Sequence, residues 1–414
     1  MLSECRIVKL VSLDYCSHKK YTHTMPHQLS FKSVPLTTIG LQSSLQLPEI
    51  AGSLDINKPL LVTDQGIVGC GLLKPVMAGF EDRQIDLAIY ADVVADPPQN
   101  NVLQAVAFAK QTGCDGVIGF GGGSSMDVAK LLAVLLKSDQ PLSEMYGVDQ
   151  VKGSRVPLIQ VPTTAGTGSE ATAVAIVTTG KSTKAGVVSP LLMADHIVLD
   201  ANLTLGVPAH TTAATGIDAM VHAIEAFTSK RLKNPISDML ALKALTLLSA
   251  NIKTAVKTGS DIEARSAMLL GAMLAGQAFA NAPVAAVHAL AYPLGGTYHI
   301  THGLSNSLVL PHVIRFNASI AGELYLQLAD HLHDFNVDKY NSKTIGDALA
   351  DHFYTMASEL GLPVSLQQVD IKPVGLPELA QQAMLQTRLL INNPRELSYD
   401  DALAIYTAAY GAVE

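Results

Sequence analysis

Short apolar segments and helical segments alternate along the first half of the chain. The apolar segments are rich in β-branched residues and bounded by Gly, Pro or Asp: PLLVTD, IDLAIYADVV, DGVIGF, PLIQVPTT, ATAVAIVTT and HIVLD. Residues 102–112 and 125–138 carry apolar side chains three and four positions apart, which is the period of an α-helix. This alternation predicts an α/β domain with a mostly parallel sheet, in which a nucleotide binds at the carboxyl ends of the strands.

The pattern changes after about residue 205. Helical periodicity without strand alternation is found in residues 237–256, 262–280, 321–335, 343–360 and 376–385. We therefore predict an α/β domain over residues 25–204 and an all-α domain over residues 205–414, joined near Pro208. Residues 1–24 are predicted to be a disordered or non-native extension. A cleft between the two domains is the expected place for a small-molecule site.

Composition and charge narrow the classes of partner. The net charge is −8 and the chain has no basic arm, which argues against nucleic acid or an anionic membrane as the main partner. The apolar run at residues 7–11 is interrupted by Lys9 and is too short for a signal-peptide core, so neither secretion nor a membrane span is expected. The 4 cysteines form no CxxC pair, which is typical of a protein in the reducing cytoplasm.

A glycine-rich segment, DGVIGFGGGSSMDVAK, occupies residues 115–130. An apolar strand leads into Gly121, Gly122 and Gly123 and then directly into a helix, whose N-terminus favours anions, so the segment predicts a diphosphate site. Ser124 or Ser125 is expected to cap the helix and to donate to a phosphate oxygen. The spacing matches neither GxGxxG nor GxxxxGK[ST], which disfavours an NTPase, and an ordinary glycine-rich turn remains the alternative.

Two further positions near strand ends are candidates for cofactor binding. The loop VPTTAGTGSE offers the hydroxyls of Thr163, Thr164 and Thr167 to a pyrophosphate or a nicotinamide amide. Asp64 ends the strand LLVTD, where a carboxylate accepts hydrogen bonds from ribose hydroxyls and repels a 2′-phosphate, favouring NAD over NADP. An ordinary Ser/Thr-capped turn and a strand-terminating Asp remain open at these places.

One acid and three histidines have the chemistry of a metal site. Asp218 and His222 are four residues apart in a helical stretch, so their side chains share a helix face about 6 Å apart. His288 and His302 would have to fold back onto that face. One carboxylate with three imidazoles suits Fe(II) or Zn(II), whereas each histidine taken alone is better explained as a core or surface histidine.

Four segments in order, GGGSSMDVAK, VPTTAGTGSE, GIDAMVHAIEAF and HALAYPLGGTYHITHG, give the chain its resemblance to the iron-containing (group III) alcohol dehydrogenases. The resemblance spans about residue 30 to the C-terminus. It implies a dehydroquinate synthase-like fold, an NAD(P)-binding α/β domain, a helical metal domain and a homodimer. By resemblance the metal ligands are Asp218, His222, His288 and His302. By resemblance the cofactor contacts are Gly122, Gly123, Ser124, Asp127, Thr163, Thr164 and Lys184, with Asp64 as the NAD-selecting acid.

Two positions depart from the family pattern. Tyr292 stands four residues after His288, where many members carry a histidine proposed to relay protons. Tyr292 itself, or His299 through water, is a candidate replacement, and a packed tyrosine is the alternative. Asp96 stands where the family often has Asn, a change that the sequence does not explain.

The resemblance implies a metal-dependent, NAD-linked alcohol dehydrogenase that transfers hydride between a small alcohol and a nicotinamide, and reduces an aldehyde or ketone in reverse. Three alternatives stay open: a family oxidoreductase acting on an oxoacid, polyol or hydroxyacid, a dehydroquinate synthase-type lyase, and a metal-free binding relative. A lyase with a phosphorylated substrate calls for clustered Lys and Arg, and no such cluster lies near the motifs.

Overall fold

The computed structural model describes residues 29–180 and 183–411. The predicted extension at residues 1–24 lies outside this part of the chain. The strands of the N-terminal domain are β1 (Leu36–Ile39), β2 (Pro59–Val62), β3 (Ala88–Tyr90), β4 (Gly116–Gly121), β5 (Gly147–Val148), β6 (Leu158–Pro162), β7 (Val174–Thr179), β8 (Thr183–Val188) and β9 (His196–Leu199). Its helices are α1 (Leu47–Ser53), α2 (Gln65–Gly69), α3 (Lys74–Asp82), α4 (Gln99–Thr112) and α5 (Gly123–Leu135).

Six strands form a parallel sheet in the order β1-β9-β6-β4-β2-β3. The central strands β2, β4 and β6 are buried along their whole length, because helices cover both faces. Alternate residues of β4 enter different cores: Val117 packs on one face, and Ile118 and Phe120 pack on the other. Val62 pairs with Gly119, and Gly121 pairs with Pro162, so the carboxyl ends of β2, β4 and β6 meet at one edge.

A small second sheet, in the order β5-β8-β7, lies beside the first. Strands β7 and β8 are antiparallel neighbours, and their register places Thr178 opposite Lys184. The strand β8 was not predicted, because its first residues, Thr183 and Lys184, are polar. This hairpin is the element that carries Lys184 toward the sheet edge.

The rest of the chain is helical. Its helices are α6 (Ala209–Thr228), α7 (Pro235–Lys257), α8 (Ile262–Asn281), α9 (Ala286–Tyr298), α10 (His302–Ala329), α11 (Ile345–Glu359), α12 (Leu376–Met384), α13 (Thr387–Leu390) and α14 (Tyr399–Tyr410). The predicted fold class, a mostly parallel α/β domain followed by an all-α domain, is confirmed. The predicted helix over 321–335 is wrong at both ends: α10 begins at His302, continues through Pro311 and stops at Ala329.

Side-chain caps mark where the long helices α7 and α8 begin. Asn234 accepts a hydrogen bond from the backbone N–H of Ser237 at the start of α7, with Pro235 at the first helical position. Asp261 caps α8 in the same way through Ala264. By length and composition α7 could cross a membrane, but it packs against both α6 and α8, which accounts for its buried apolar residues such as Leu245, Leu248 and Ile252.

The two domains contact each other at a pair of glycines, Gly168 after β6 and Gly276 in α8. A Cβ atom on Gly168 would lie 2.5 Å from the Cα of Gly276 in α8, so the loop after β6 rests on that helix backbone to backbone. This contact fixes the distance between the sheet edge and the helical domain.

Candidate active site

The four predicted metal ligands lie together. Asp218 and His222 stand on α6, His288 on α9, and His302 is the first residue of α10. One nitrogen or oxygen atom from each lies within 4.8 Å of the others. The first three residues are buried, and the side chain of His302 is 38% exposed. The three helices therefore bring residues that are up to 84 positions apart to one point.

Glu225 orients His288, and the sequence analysis missed it. Its Oε2 accepts hydrogen bonds from His288 Nδ1 at 2.7 Å and from the backbone N–H of Ala285 at 3.0 Å. Its Oε1 accepts a further bond from the backbone N–H of Val287 at 2.6 Å. With Nδ1 donating to a carboxylate, Nε2 of His288 carries the free lone pair and faces the other ligands.

Asn306 lies at the centre of the cluster. Its Nδ2 is 2.6 Å from Asp218 Oδ1 and 3.3 Å from the Nε2 atoms of both His288 and His302. The amide Oδ1 is buried and has no partner among the described residues. Three acceptor atoms thus converge on a single donor, which is how ligand atoms are arranged around a cation. The donor set of one carboxylate and three imidazoles fits Fe(II) or Zn(II).

Burial sets the charge of the cluster. It lowers the pKa of His222 to about 3 and also lowers the pKa of His302, so both imidazoles are neutral at pH 7. Burial alone would raise the pKa of Asp218, but the neighbouring histidines and Asn306 hold it below its ordinary value. A carboxylate with neutral imidazoles is the protonation state that a metal ion requires.

The cluster opens into a cavity of about 310 Å³ between the domains. His222, His288 and His302 line its helical side, and Gly123 and Ser124 line its sheet side. The residues predicted to hold metal and cofactor therefore face one space, and this is the cleft that the sequence led us to expect.

The turn formed by Gly121, Gly122 and Gly123 (the glycine loop) has no side chains beyond hydrogen, which leaves its backbone accessible. Gly121 has φ +154°, and a Cβ there would lie 2.7 Å from Ser125 Oγ. The residue that precedes α5 is Gly122, which has no side chain to cap the helix. The prediction of a cap by Ser124 or Ser125 was therefore wrong. Ser125 Oγ instead lies 3.5 Å from Asp64 Oδ2, and Ser124 Oγ accepts from the backbone N–H of Asp96. The first N–H groups of α5 are thus free of side-chain caps.

The segment VPTTAGTGSE, residues 161–170 (the threonine loop), lies beside the glycine loop. The backbone N–H of Thr163 donates to Gly121 O at 3.0 Å, and its buried Oγ1 has no partner in the described part of the chain. Thr164 Oγ1 lies 3.7 Å from the position of a Cβ on Gly122, and Thr167 closes over Gly123. A molecule held by one loop would thus be within reach of the other.

Asp127 belongs to a buried network beneath the cavity. Its carboxylate accepts from Ser169 Oγ at 2.6 Å and from the backbone N–H of Ile176 at 2.9 Å. Lys130 is fully buried and donates to Ser169, Thr172 and the Val174 carbonyl. Burial raises the pKa of Asp127. The network ties α5 to β7 and to the threonine loop, and sequence reasoning had assigned no role to Lys130.

Asp96 forms an ion pair with Lys184. Its Oδ1 lies 2.6 Å from Lys184 Nζ, and its backbone has φ +53°. Lys184 also donates to Thr178 Oγ1 at 3.2 Å, and both charged residues line the cavity. The departure from Asn therefore places a carboxylate against the lysine that the resemblance assigns to the cofactor.

Asp64 has a structural partner as well as a suitable position. It lies just beyond the carboxyl end of β2, and its side chain accepts from the backbone N–H of Ile67 at 3.1 Å, capping α2. One oxygen of Asp64 thus has a structural role at the start of α2, which the sequence analysis did not predict. The other oxygen points toward Ser125 at the glycine loop.

The two candidates for proton relay differ in position. Tyr292 lines the cavity, and its ring centroid is 6.0 Å from that of His302. Burial raises its pKa, so its phenol keeps a proton at neutral pH. His299 ends α9 with φ +58°, is exposed, and is absent from the cavity lining. The structure brings Tyr292, and does not bring His299, to the cavity.

Comparison with known proteins gives the same assignment for both halves of the chain. Residues 36–201 match the family model described as iron-containing alcohol dehydrogenase, and residues 212–410 match that of the C-terminal part of the Fe-containing alcohol dehydrogenase family. The chain is 38% identical to long-chain-alcohol dehydrogenase 1 of Geobacillus thermodenitrificans over 91% of this chain and 95% of that one. It is 36% identical to sulfoacetaldehyde reductase of Bilophila wadsworthia, over 86% of this chain and 92% of the relative. A crystal structure of 1,3-propanediol oxidoreductase superimposes with a TM-score of 0.89 at 30% identity, covering 92% of this chain and 100% of that one. The chain belongs to the iron-containing alcohol dehydrogenase family.

Proposed function

We propose that the protein is a metal-dependent, NAD-linked alcohol dehydrogenase that transfers hydride between a small alcohol and a nicotinamide, and reduces the aldehyde or ketone in reverse. The observation that carries the proposal is the shared cavity, which has the Asp218 and histidine cluster on one wall and the glycine loop on the other. When bound, a divalent metal supplies a Lewis acid for the alcohol or carbonyl oxygen, and NAD(H) supplies the hydride acceptor or donor.

Four residues would hold the metal. Asp218, His222, His288 and His302 supply one ligand atom each, with Fe(II) preferred by family and Zn(II) compatible with the same donors. Glu225 fixes the ring of His288 through Nδ1. Because the four atoms come from three helices, the packing of those helices fixes the geometry of the site.

The cofactor would lie along the sheet edge. In this proposal the diphosphate binds at the N-terminus of α5 against Gly121, Gly122, Gly123 and Ser124, with Thr163 and Thr164 alongside. Asp127, Thr167 and Lys184 border the cavity where the nicotinamide would enter. Asp64 would accept hydrogen bonds from the adenosine ribose and repel a 2′-phosphate, which favours NAD over NADP.

Tyr292 is the residue proposed to handle the proton. Tyr292 lines the cavity with its ring centroid 6.0 Å from that of His302, and its phenol stays protonated at neutral pH because burial raises its pKa. A protonated phenol can donate its proton to the oxygen of a carbonyl substrate, and the phenolate is then reprotonated from solvent through the cavity. In the alcohol direction the phenol must first release its proton to solvent, and the phenolate then accepts the proton of the alcohol. Tyr292→Phe should lower kcat without changing metal content.

The test is NADH absorbance at 340 nm with anaerobically purified protein, NAD and a panel of alcohols, diols and hydroxyacids, with and without Fe(II) or Zn(II). Metal-dependent NADH formation supports the proposal. Silence in both directions with every substrate would move the assignment to a lyase. That alternative is disfavoured because, among the described residues, the cavity is lined by one lysine, Lys184, and one arginine, Arg388, too few for a phosphorylated substrate.

His288→Ala provides the site-specific arm of the same test. It removes a ligand and leaves the glycine loop untouched, so metal content and turnover should be lost while NAD still binds. Retained turnover would refute the ligand assignment.

Assembly and location belong to the proposal too. A homodimer is supported by β1, an edge strand whose Leu36 and Ile39 are more than half exposed, since apolar edge strands in stable proteins are usually covered. Light scattering after size exclusion measures the mass. A cytoplasmic location is supported by the free thiols Cys70 and Cys114.

A further inference from the structure

The cavity contains one cation whose charge has no counterion among the described residues. Lys184 is paired with Asp96, and Lys130 is enclosed by Asp127 and hydroxyl groups. Arg388, in the short helix α13, lines the same cavity, and within residues 29–180 and 183–411 its guanidinium has no ion pair or side-chain hydrogen bond. Arg388 is solvent-exposed, so water solvates its guanidinium in the substrate-free protein, and a carboxylate or similar anionic group in the cavity would replace that water.

The position of Arg388 is defined by its neighbours. Its Nη2 lies 3.4 Å from where a Cβ on Gly186 would be, so the bare backbone of β8 leaves room for the guanidinium. On the other side it is close enough to Tyr292 to act electrostatically on the phenol. Arg388 thus stands next to β8, in the cavity that Tyr292 and the metal-ligand cluster also line.

Apolar side chains line the cavity around Tyr292. Val284, Leu389 and Ala291 line it beside Tyr292. A short carbon chain could pack against these side chains. One end would then lie toward the histidine cluster and the other toward the guanidinium of Arg388. A guanidinium presents two parallel N–H groups that match the oxygens of a carboxylate or sulfonate.

We infer that the aldehyde or alcohol substrate carries an acidic group, a carboxylate or a sulfonate, on the carbon chain away from the reacting carbon, and that Arg388 binds this group. This inference rests on the proposed hydride transfer and narrows its substrate class. Arg388 is then a specificity residue rather than a residue of the chemical step.

The experiment compares matched aldehydes with the metal-loaded enzyme and NADH. The pairs are 4-oxobutanoate with butanal, and sulfoacetaldehyde with propanal. The wild type should show a higher kcat/KM for the acidic member of at least one pair, and the pair that responds tells carboxylate from sulfonate. Arg388→Met should lower kcat/KM for that acidic aldehyde about 30-fold or more, with butanal and propanal changed by less than about threefold.

Two further variants sharpen the result. Arg388→Lys keeps the charge but loses the paired N–H groups, so it should fall between wild type and Arg388→Met. Arg83→Met removes a surface arginine that pairs with Glu49 and lies outside the cavity, and it should leave all four substrates unchanged.

Contrary outcomes are distinguishable. Equal losses on acidic and neutral aldehydes, or a higher KM for NADH alone, would overturn the inference and assign Arg388 to the cofactor or to packing. A wild type that prefers butanal and propanal would also overturn it while the proposed function stands. If no aldehyde reacts, the proposed function fails, and calorimetric binding of butyrate decides separately: the anion site is upheld if wild type binds butyrate and Arg388→Met does not.

Discussion

Glu225 is the residue that ties the metal cluster to the backbone of a second helix. It accepts two backbone N–H bonds at the start of α9 and the Nδ1 proton of His288. Glu225→Gln keeps the shape but removes the charge and one acceptor. We expect metal affinity to fall about 10- to 100-fold, as it does when such supporting groups are lost.

The affinity is measured by competition with a chromophoric chelator. Glu323→Gln, at an exposed position of α10, is the matched control and should bind metal like wild type. An unchanged affinity in Glu225→Gln would show that the fold alone orients His288.

Glu170 provides a pH prediction. Burial raises its pKa to about 7 from an ordinary 4.5, so the folded protein holds this proton over a range in which the unfolded chain has released it. Its contribution to stability is therefore complete below pH 4.5 and is lost as the pH rises through 7. The side chain of Glu170→Gln cannot ionise. The Tm of the metal-free variant should therefore fall less steeply between pH 5 and 7.5 than the Tm of the metal-free wild type. An identical slope in the variant would contradict this assignment.

At this scale the sequence was informative where partners are close along the chain. The four-residue spacing of Asp218 and His222 predicted a shared helix face, and both lie in the cluster. Glu225 and Asn306 could not be found in the same way, because each acts on residues of another helix. Arg388 was missed for the same reason, since its cavity forms only when α13 reaches β8.

Among the elements, the threonine loop contacts α8 backbone to backbone at the junction between the domains. A Cβ on Gly276 would lie 2.5 Å from the carbonyl oxygen of Gly168, which is backbone and cannot move aside. Gly276→Ala should lower the free energy of unfolding by about 1–3 kcal/mol, and weaken NAD binding by displacing the loop. Urea unfolding and cofactor titration measure the two effects.

Gly52 offers a control of opposite sign. It lies in α1 with nothing within 4 Å of a Cβ position, so Gly52→Ala should stabilise the protein by about 0.5–1 kcal/mol through helix propensity. A Gly276→Ala variant as stable as Gly52→Ala would mean that the loop and α8 separate at no cost.

Elements with strong periodicity were predictable and the others were not. The buried strands β2, β4 and β6 are continuous apolar runs, and α7 and α8 follow the helical period. The strand β8 could not be predicted from local pattern, because it begins with polar residues and pairs with β5 and β7 in the small sheet, outside the core sheet. Pro311 conceals the continuity of α10, since a proline inside a helix is usually read as its end.

For the whole molecule, metal binding should be coupled to folding. The ligands come from α6, α9 and α10, and they converge only in the folded state. Metal at about 100 times its dissociation constant should add about 2.7 kcal/mol of stability. Removing it with EDTA should therefore lower Tm, and adding Zn(II) should restore it.

His288→Ala is the control for that measurement. Its Tm should be insensitive to EDTA, because the site is lost. If EDTA lowers its Tm as much as that of wild type, the stabilising metal binds elsewhere.

The division into a sheet half and a helical half was visible in the sequence as a change of period near residue 205. The sequence predicted that a cleft lies between the two halves, but it did not predict the full set of residues that line the cavity. Its lining depends on the backbone contact of Gly168 with Gly276 and on the hairpin that delivers Lys184, and neither is encoded by local pattern.

The double engagement of Asp64 sets a condition for redesigning the protein to use NADP. Any substitution that removes the carboxylate to admit a 2′-phosphate also removes the acceptor at the start of α2. Asp64→Ser keeps a capping oxygen without the charge, whereas Asp64→Ala should lose about 1 kcal/mol of stability. Changing the cofactor from NAD to NADP therefore depends on keeping the N-terminal cap of α2 as well as on removing the charge. Ser or Asn is the substitution with which to begin.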